Sequence, residues 1–220
     1  MLNHTAPPAY FQRPRAALSW LMEPIILASE SPRRRAFLEL LGLPFVCVPA
    51  MIDETPEPGL GAREVALDLA RKKALAIDGA PEGAGGAFGG RLVLAADTVV
   101  ALEGGIFGKP ASREEAARML ALFSGRRHEV ITAIALRDLR DGGIDLRAVE
   151  CAVDFARLSG AEIDWYLDTG EWRGAAGGYR LQEKGACLIE RVLGSPSAVA
   201  GLPLRELFVM LRAGPRGLLI

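Results

Sequence analysis

Histidine is nearly absent from this 220-residue chain. Only His4 and His128 occur, which rules out a His-rich zinc centre and leaves no pair with metal-ligand spacing. Cysteine is scarce as well. Cys47, Cys151 and Cys187 lie far apart and are odd in number, which argues against a disulfide framework and for a reducing, cytoplasmic setting. The net charge of −1 provides no general attraction to nucleic acid or to an acidic membrane. Any anion recognition must therefore be local, which suits a small phosphorylated ligand better than a polymer. No apolar run approaches the length of a membrane span.

What is present is the makeup of a soluble globular protein, 50% apolar and 24% charged, with enough chain for one large domain or two small lobes. Residues 1–23 differ in character: proline-rich, short of a continuous apolar stretch, and too irregular for a signal peptide. They read as a disordered or loosely packed extension, and Met22 is a candidate natural start. The folded domain is expected over 24–213, with 214–220 as a tail.

The segment Ile25–Arg35, IILASESPRRR, combines a short buried strand, a serine-rich turn and a helix start. Ser31 is the expected N-cap and Pro32 suits the first helical position; the helix should run to a stop at Gly42. A helix N-terminus offers free N–H groups and a positive dipole end, and arginines beside it can grip phosphate oxygens in bidentate fashion. Three arginines in a first turn otherwise oppose the dipole, so a phosphate site explains them better than a solvated basic turn.

Strands are expected at Phe45–Ala50, Leu92–Leu102, Glu129–Leu139 and Ala148–Leu158, the last two joined as a hairpin by an Asp-Gly-Gly turn. Helices are expected at 63–77, from about Ser112 to Phe123, after Ser159, and over LPLRELFVMLRAG. YRLQEKGACLIERVLG reads as a strand or strand pair, and DGAPEGAGGAFGG as a flexible loop. Strands and helices alternate without a strict βαβ rhythm, so the class is α/β with a mixed twisted sheet flanked by helices. Leu92–Leu102 is apolar on both faces, as a central strand should be.

Asp97 interrupts that strand. Burying a lone charge costs several kcal/mol, so Asp97 is expected to have a partner, a metal, a lysine or a polar cleft, the alternative being that it lies at the strand's end and starts a turn. Lys109 in GKP does not belong to a P-loop: only three residues separate Gly104 from Gly108, and Pro110 follows the lysine. GAGGAFGG precedes a strand instead of following one, so it is no dinucleotide fingerprint. His128 has no nucleophile–base partner in the pattern and is given no role.

Taken together and in order, LASESPRRR, ARKKA, AADTVV, GKP, SGRRHEVITA and GGYRLQ…GSPSAVAGLPL resemble the motifs of the Maf family of nucleoside triphosphate pyrophosphatases, from Ile25 to about Leu211. The resemblance implies a two-lobed Maf/ITPase-like α/β fold with the active site in its cleft. It also implies hydrolysis of a nucleoside triphosphate to the monophosphate and pyrophosphate with a divalent cation, Mg²⁺ or Mn²⁺. On this resemblance Asp97 is the catalytic aspartate that accepts a proton from the attacking water. Ser29, Arg33 and Arg34 form the phosphate motif, Lys73 and Lys109 face the triphosphate, and Glu54 joins Asp97 near the metal. Arg33, Thr98 and Gln182 fall on the selectivity positions, and Arg35 is expected to face solvent. A homodimer is implied by resemblance only.

Physical chemistry supports this assignment. Two arginines, two lysines, a helix N-terminus and a metal complement the about four negative charges of a triphosphate. An ordinary aspartate is too acidic for efficient general-base work at neutral pH, so metal ligation with water positioning is the expected role of Asp97. The Gln182 amide complements the N3–H and O4 edge of uracil or thymine. In the family this glutamine with Thr98 marks the dTTP/UTP branch; the alternatives are the 7-methyl-GTP branch, modified nucleotides, or a nucleotide-binding regulator of septum formation. Glu183 replaces a glycine usual after the glutamine, and Ala175 stands where a lysine often precedes the loop. One tension is geometric: successive strand residues face opposite ways, so Asp97 and Thr98 can share a site only where the strand ends or twists.

Overall fold

A computed structural model describes residues 24–78 and 92–213. The expected N-terminal extension, the glycine-rich loop beyond Asp78 and the C-terminal tail lie outside the described residues. Among the described residues the elements run β1 (Ile25–Leu27), α1 (Pro32–Leu40), β2 (Phe45–Cys47), α2 (Ala62–Leu75), β3 (Leu92–Leu102), β4 (Gly105–Phe107), α3 (Arg113–Phe123), β5 (Arg127–Asp138), β6 (Ile144–Phe155), α4 (Gly160–Asp168), β7 (Ile189–Leu193), α5 (Pro196–Val199) and α6 (Leu204–Ala213). No helix among them is long and apolar enough to cross a membrane.

The strands form one mixed sheet in the order β2-β1-β3-β5-β6-β7, with β4 paired to β3. β1 is parallel to β2 and β3, whereas β3, β5, β6 and β7 pair antiparallel. β3 is central, which is why both its faces are apolar.

One face packs against α2. Val93, Ala95, Val99 and Ala101 of β3 join Ile131, Ala133 and Ala135 of β5 under Val65, Ala66, Leu69, Ala70 and Ala74. The opposite face is divided. Leu92, Leu94, Ala96, Ile134 and Leu136 pack with Leu38 of α1 and Leu207, Met210 and Leu211 of α6. Val100, Leu102 and Val130 pack with Ala116, Leu120 and Phe123 of α3 and Tyr166 and Leu167 of α4. One sheet therefore serves two lobes, and Thr98 and Thr132, paired across β3 and β5, fall at the seam between them.

Most expected elements are present, with shifted ends. The hairpin turns at Asp141–Gly143, where Gly142 has φ +73° and the Asp141 carboxylate accepts the Gly143 N–H. Both expected serine caps form: Ser112 Oγ accepts from Glu115 N–H and Ser159 Oγ from Glu162 N–H.

Two expectations need correction. Ser31 occupies the N-cap position of α1, with Pro32 first in the helix, but its hydroxyl makes no capping bond. Ser29 Oγ takes the Ser31 N–H instead, at 3.2 Å. In the 179–194 segment only Ile189–Leu193 is strand, because Lys184–Leu188 forms a 3₁₀ turn. The chain doubles back there so tightly that a Cβ on Gly185 would stand 2.4 Å from the carbonyl oxygen of Arg180, a fold-over no extended strand can make.

Candidate active site

A polar cleft of about 440 Å³ opens where β1 and β4 leave β3 uncovered. β1 pairs with β3 only through Val93 and Leu94, and β4 only from Val100 onward. Ala95–Val99 therefore face a gap in the sheet on that side. This resolves the geometric tension. Asp97 points to the α2 face and Thr98 to the opposite face, as strand alternation demands, and both border the cleft because it lies along the open edge between the faces.

On the α2 side the charge on Asp97 is met by a lysine. Lys73 lies in the apolar stripe of α2, three and four residues after Ala70 and Leu69, so its stem is buried and its head reaches the sheet. Its Nζ donates to Asp97 Oδ1 at 2.6 Å and pairs with Glu54 Oε1 at 2.7 Å. Lys109 Nζ, more exposed, reaches Glu54 Oε2 at 2.9 Å. Burial pushes the Glu54 carboxyl up, but the hydrogen bonds from Lys73 and Lys109 outweigh it and hold the group at about 2. The acidic loop after β2 thus brings Glu54 to the cleft.

The β1–α1 turn forms the next wall. Arg34 Nη1 donates to Ser29 Oγ at 3.1 Å, and its Nε donates to the carbonyl oxygen of Gly201 at 2.9 Å. Arg33 also lines the cleft, with its Nε buried and unbonded. Burial, then the neighbouring Arg180 and Arg34, bring its guanidinium down to about 10. Such a crowd of cations is unfavourable without an anion among them. Since Ser31 does not cap α1, the first-turn N–H groups carry no side-chain acceptor. Arg35 is exposed.

Gln182 and Glu183 sit at the rim, both exposed. The Gln182 side-chain N–H donates to Glu183 Oε1 at 3.3 Å, and Glu183 pairs with Arg180 at 3.2 Å. Ala175 is buried.

All the sequence-derived site residues, Ser29, Arg33, Arg34, Glu54, Lys73, Asp97, Thr98, Lys109 and Gln182, line this one cleft. Three further residues were not singled out by the sequence. Arg180 adds a cation whose Nη2 is fixed on the Arg173 carbonyl oxygen at 2.7 Å. Tyr179 accepts or donates a 2.8 Å bond with buried His128 Nε2, so the histidine anchors the loop that carries Gln182. Thr132 bonds Thr98 at 2.9 Å and Ala198 at 2.7 Å. Thr132 was detectable by the signal that exposed Asp97, a polar residue inside an apolar strand.

Comparison with known proteins adds the family. The family model for Maf-like proteins matches residues 24–214. The chain belongs to the Maf-like protein family. The Maf-like chain is 46% identical to a dTTP/UTP pyrophosphatase of Anaeromyxobacter dehalogenans over 190 residues, 86% of this chain and 92% of that protein. It is 44% identical over 190 residues to the enzyme of the same name from Cereibacter sphaeroides, covering 86% and 94% of the two chains. A third such relative, from Pelotomaculum thermopropionicum, is 43% identical over 191 residues, 87% and 96% of the two chains.

Proposed function

We propose that this Maf-like protein is a nucleoside triphosphate pyrophosphatase that hydrolyses dTTP and UTP to the monophosphate and pyrophosphate. The observation that carries the proposal is the cleft itself: Arg33, Arg34, Lys73 and Lys109 converge around the carboxylates of Asp97 and Glu54. That is a surplus of fixed cations for a polyanion, set beside acidic oxygens suited to a metal and a water. Relatives named dTTP/UTP pyrophosphatase, together with Thr98 and Gln182 at the cleft, favour the pyrimidine reading over 7-methyl-GTP.

A divalent cation fits the donor set. Asp97 and Glu54 contact the same Lys73 Nζ at 2.6 and 2.7 Å, so the two carboxylates converge on one point. Among the described residues no group of three or more His, Cys, Asp or Glu could hold a metal unaided. Two carboxylates supplemented by water and substrate phosphates are the usual environment of Mg²⁺ or Mn²⁺. When bound, such an ion acidifies water and neutralises phosphate charge.

The chain's own residues supply the rest. Lys73 holds Asp97 by Oδ1, which leaves Oδ2 to orient the attacking water or help hold the cation. Arg34, pinned at Ser29 and Gly201, and Lys109 offset charge that builds on the leaving pyrophosphate. Asp97→Asn is the test. Pyrophosphate release should fall by at least about 10³-fold while dTTP still binds, since the cationic wall is intact. Retained turnover refutes the role of Asp97; release from no nucleotide by the wild type favours a regulator.

A further inference from the structure

Thr132 is fully buried and lies opposite Thr98 in the β3–β5 register. A threonine hydroxyl has one proton to donate and two lone pairs with which to accept. Thr132 donates its proton to the carbonyl oxygen of Ala198, 2.7 Å away, an atom that can only accept. The 2.9 Å contact between the two hydroxyls therefore has one permitted direction, with Thr98 donating and Thr132 accepting. Reversing it would leave the Thr132 hydroxyl and Ala198 carbonyl oxygens 2.7 Å apart with no proton between them, lone pair against lone pair, although the carbonyl would keep its second bond from the Gly201 N–H. Thr98 Oγ1 is left with lone pairs alone to offer the cleft. Gly201 keeps that approach open, since a Cβ there would stand 3.5 Å from Thr98 Oγ1.

We propose that Thr132 is a positioning residue for substrate recognition: by taking the proton of Thr98 it makes the cleft select a hydrogen-bond donor of the nucleoside at Thr98 and turn away phosphate and keto oxygens. The inference rests on the nucleotide reading above and adds an orientation to it. Phosphate oxygens, which only accept at neutral pH, are drawn to Arg33, Arg34, Lys73 and Lys109 and repelled from Thr98. The nucleoside end then lies over Thr98, where Val100, Val130 and Val199 supply apolar lining. Two donors are common to dTTP and UTP, the ring N3–H and the 3′-hydroxyl. Either satisfies Thr98, and each is separately removable.

The experiment compares kcat/KM for UTP, CTP and 3′-deoxy-UTP in the full-length wild type, Thr132→Ser, Thr132→Val and Thr98→Val. Cytosine keeps the ring size but carries a lone pair where uracil carries N3–H, and 3′-deoxy-UTP lacks the sugar donor. The wild type should prefer UTP over one of the two analogues by about tenfold or more, expressed mainly in KM. Thr132→Ser should keep that ratio within about threefold. Thr132→Val frees the Thr98 proton to point into the cleft, so the ratio should fall by about tenfold, and Thr98→Val should lower it similarly. A wild-type ratio retained in folded Thr132→Val, or no preference against either analogue, overturns the proposal. If Thr132→Val does not fold, Thr98→Val decides: a retained ratio overturns the proposal and a lost one supports it. Failure of the wild type to release pyrophosphate from UTP overturns the nucleotide reading itself, and this proposal with it.

Discussion

Arg34 and Gly201, 167 residues apart in sequence, are joined by a 2.9 Å hydrogen bond from Nε to the carbonyl oxygen. With a second bond to Ser29 Oγ, the guanidinium ties the β1–α1 turn to the turn before α6, so one side chain sets the spacing of two cleft walls. Burial lowers its pKa, while Asp97 and Glu54 oppose that shift.

Arg34→Lys keeps the charge and loses the fork. A lysine cannot serve Ser29, Gly201 and a phosphate in fixed directions. Pyrophosphate release should fall at least tenfold in kcat/KM, with a destabilisation of about 1–2 kcal/mol from the two lost bonds. Steady-state kinetics and urea denaturation check both.

Lys73→Met leaves the Asp97 and Glu54 carboxylates facing each other without the ammonium between them. Leaving a buried charge without its partner costs about 3–5 kcal/mol, so the metal-free variant should melt well below the wild type. Mg²⁺ or Mn²⁺ should raise the melting temperature of the variant more than that of the wild type, because the ion replaces the missing cation. An equal response in both proteins would contradict the assignment of Glu54 and Asp97 as metal ligands.

His128 makes stability depend on acid. Burial brings its pKa down from 6.5 to about 4, partly opposed by Asp154. Between those values the unfolded chain binds the proton and the folded chain resists it, so stability is full above about pH 6.5 and lost as the pH falls toward 4. From pH 6.5 to 5 this histidine alone should remove about 2 kcal/mol, by linkage at 1.36 kcal/mol per unit. His128→Gln should flatten that part of the profile in urea melts at pH 7.5 and 5.

Glu183→Gly removes the rim carboxylate that occupies Arg180 and the Gln182 amide. Both groups are then free to meet a nucleotide, so KM for dTTP should fall. Because the pair is solvent-exposed, the change should be only a few-fold. Stability should move by no more than about 0.5 kcal/mol, measurable by thermal denaturation.

Features fixed by local chemistry were legible in the sequence. The Asp-Gly-Gly hairpin, the two Ser-x-x-Glu caps and the apolar run around Asp97 carry their own signatures within a few residues. The need of Asp97 for a partner was also readable, but the choice of Lys73 depends on α2 crossing β3 at the right height. Three features were hidden because they depend on distant chain. Ser29 displaces Ser31 in serving the turn, Gly185 folds against Arg180, and β3 is uncovered only because β1 ends and β4 begins where they do. Nothing within 95–99 announces a neighbour that is missing.

That missing neighbour also separates two kinds of mechanical demand. Asp97 rides on a strand clamped along one whole side by β5, among the stiffest positions a sheet can offer. Gln182 and Glu183 sit on a turn held by Arg180 and the Tyr179–His128 bond. Under the roles proposed above, the bond-breaking step and the Thr98 contact are mounted on rigid scaffolding, while the Gln182 contact is left to a turn that can change residue by residue without disturbing the chemistry.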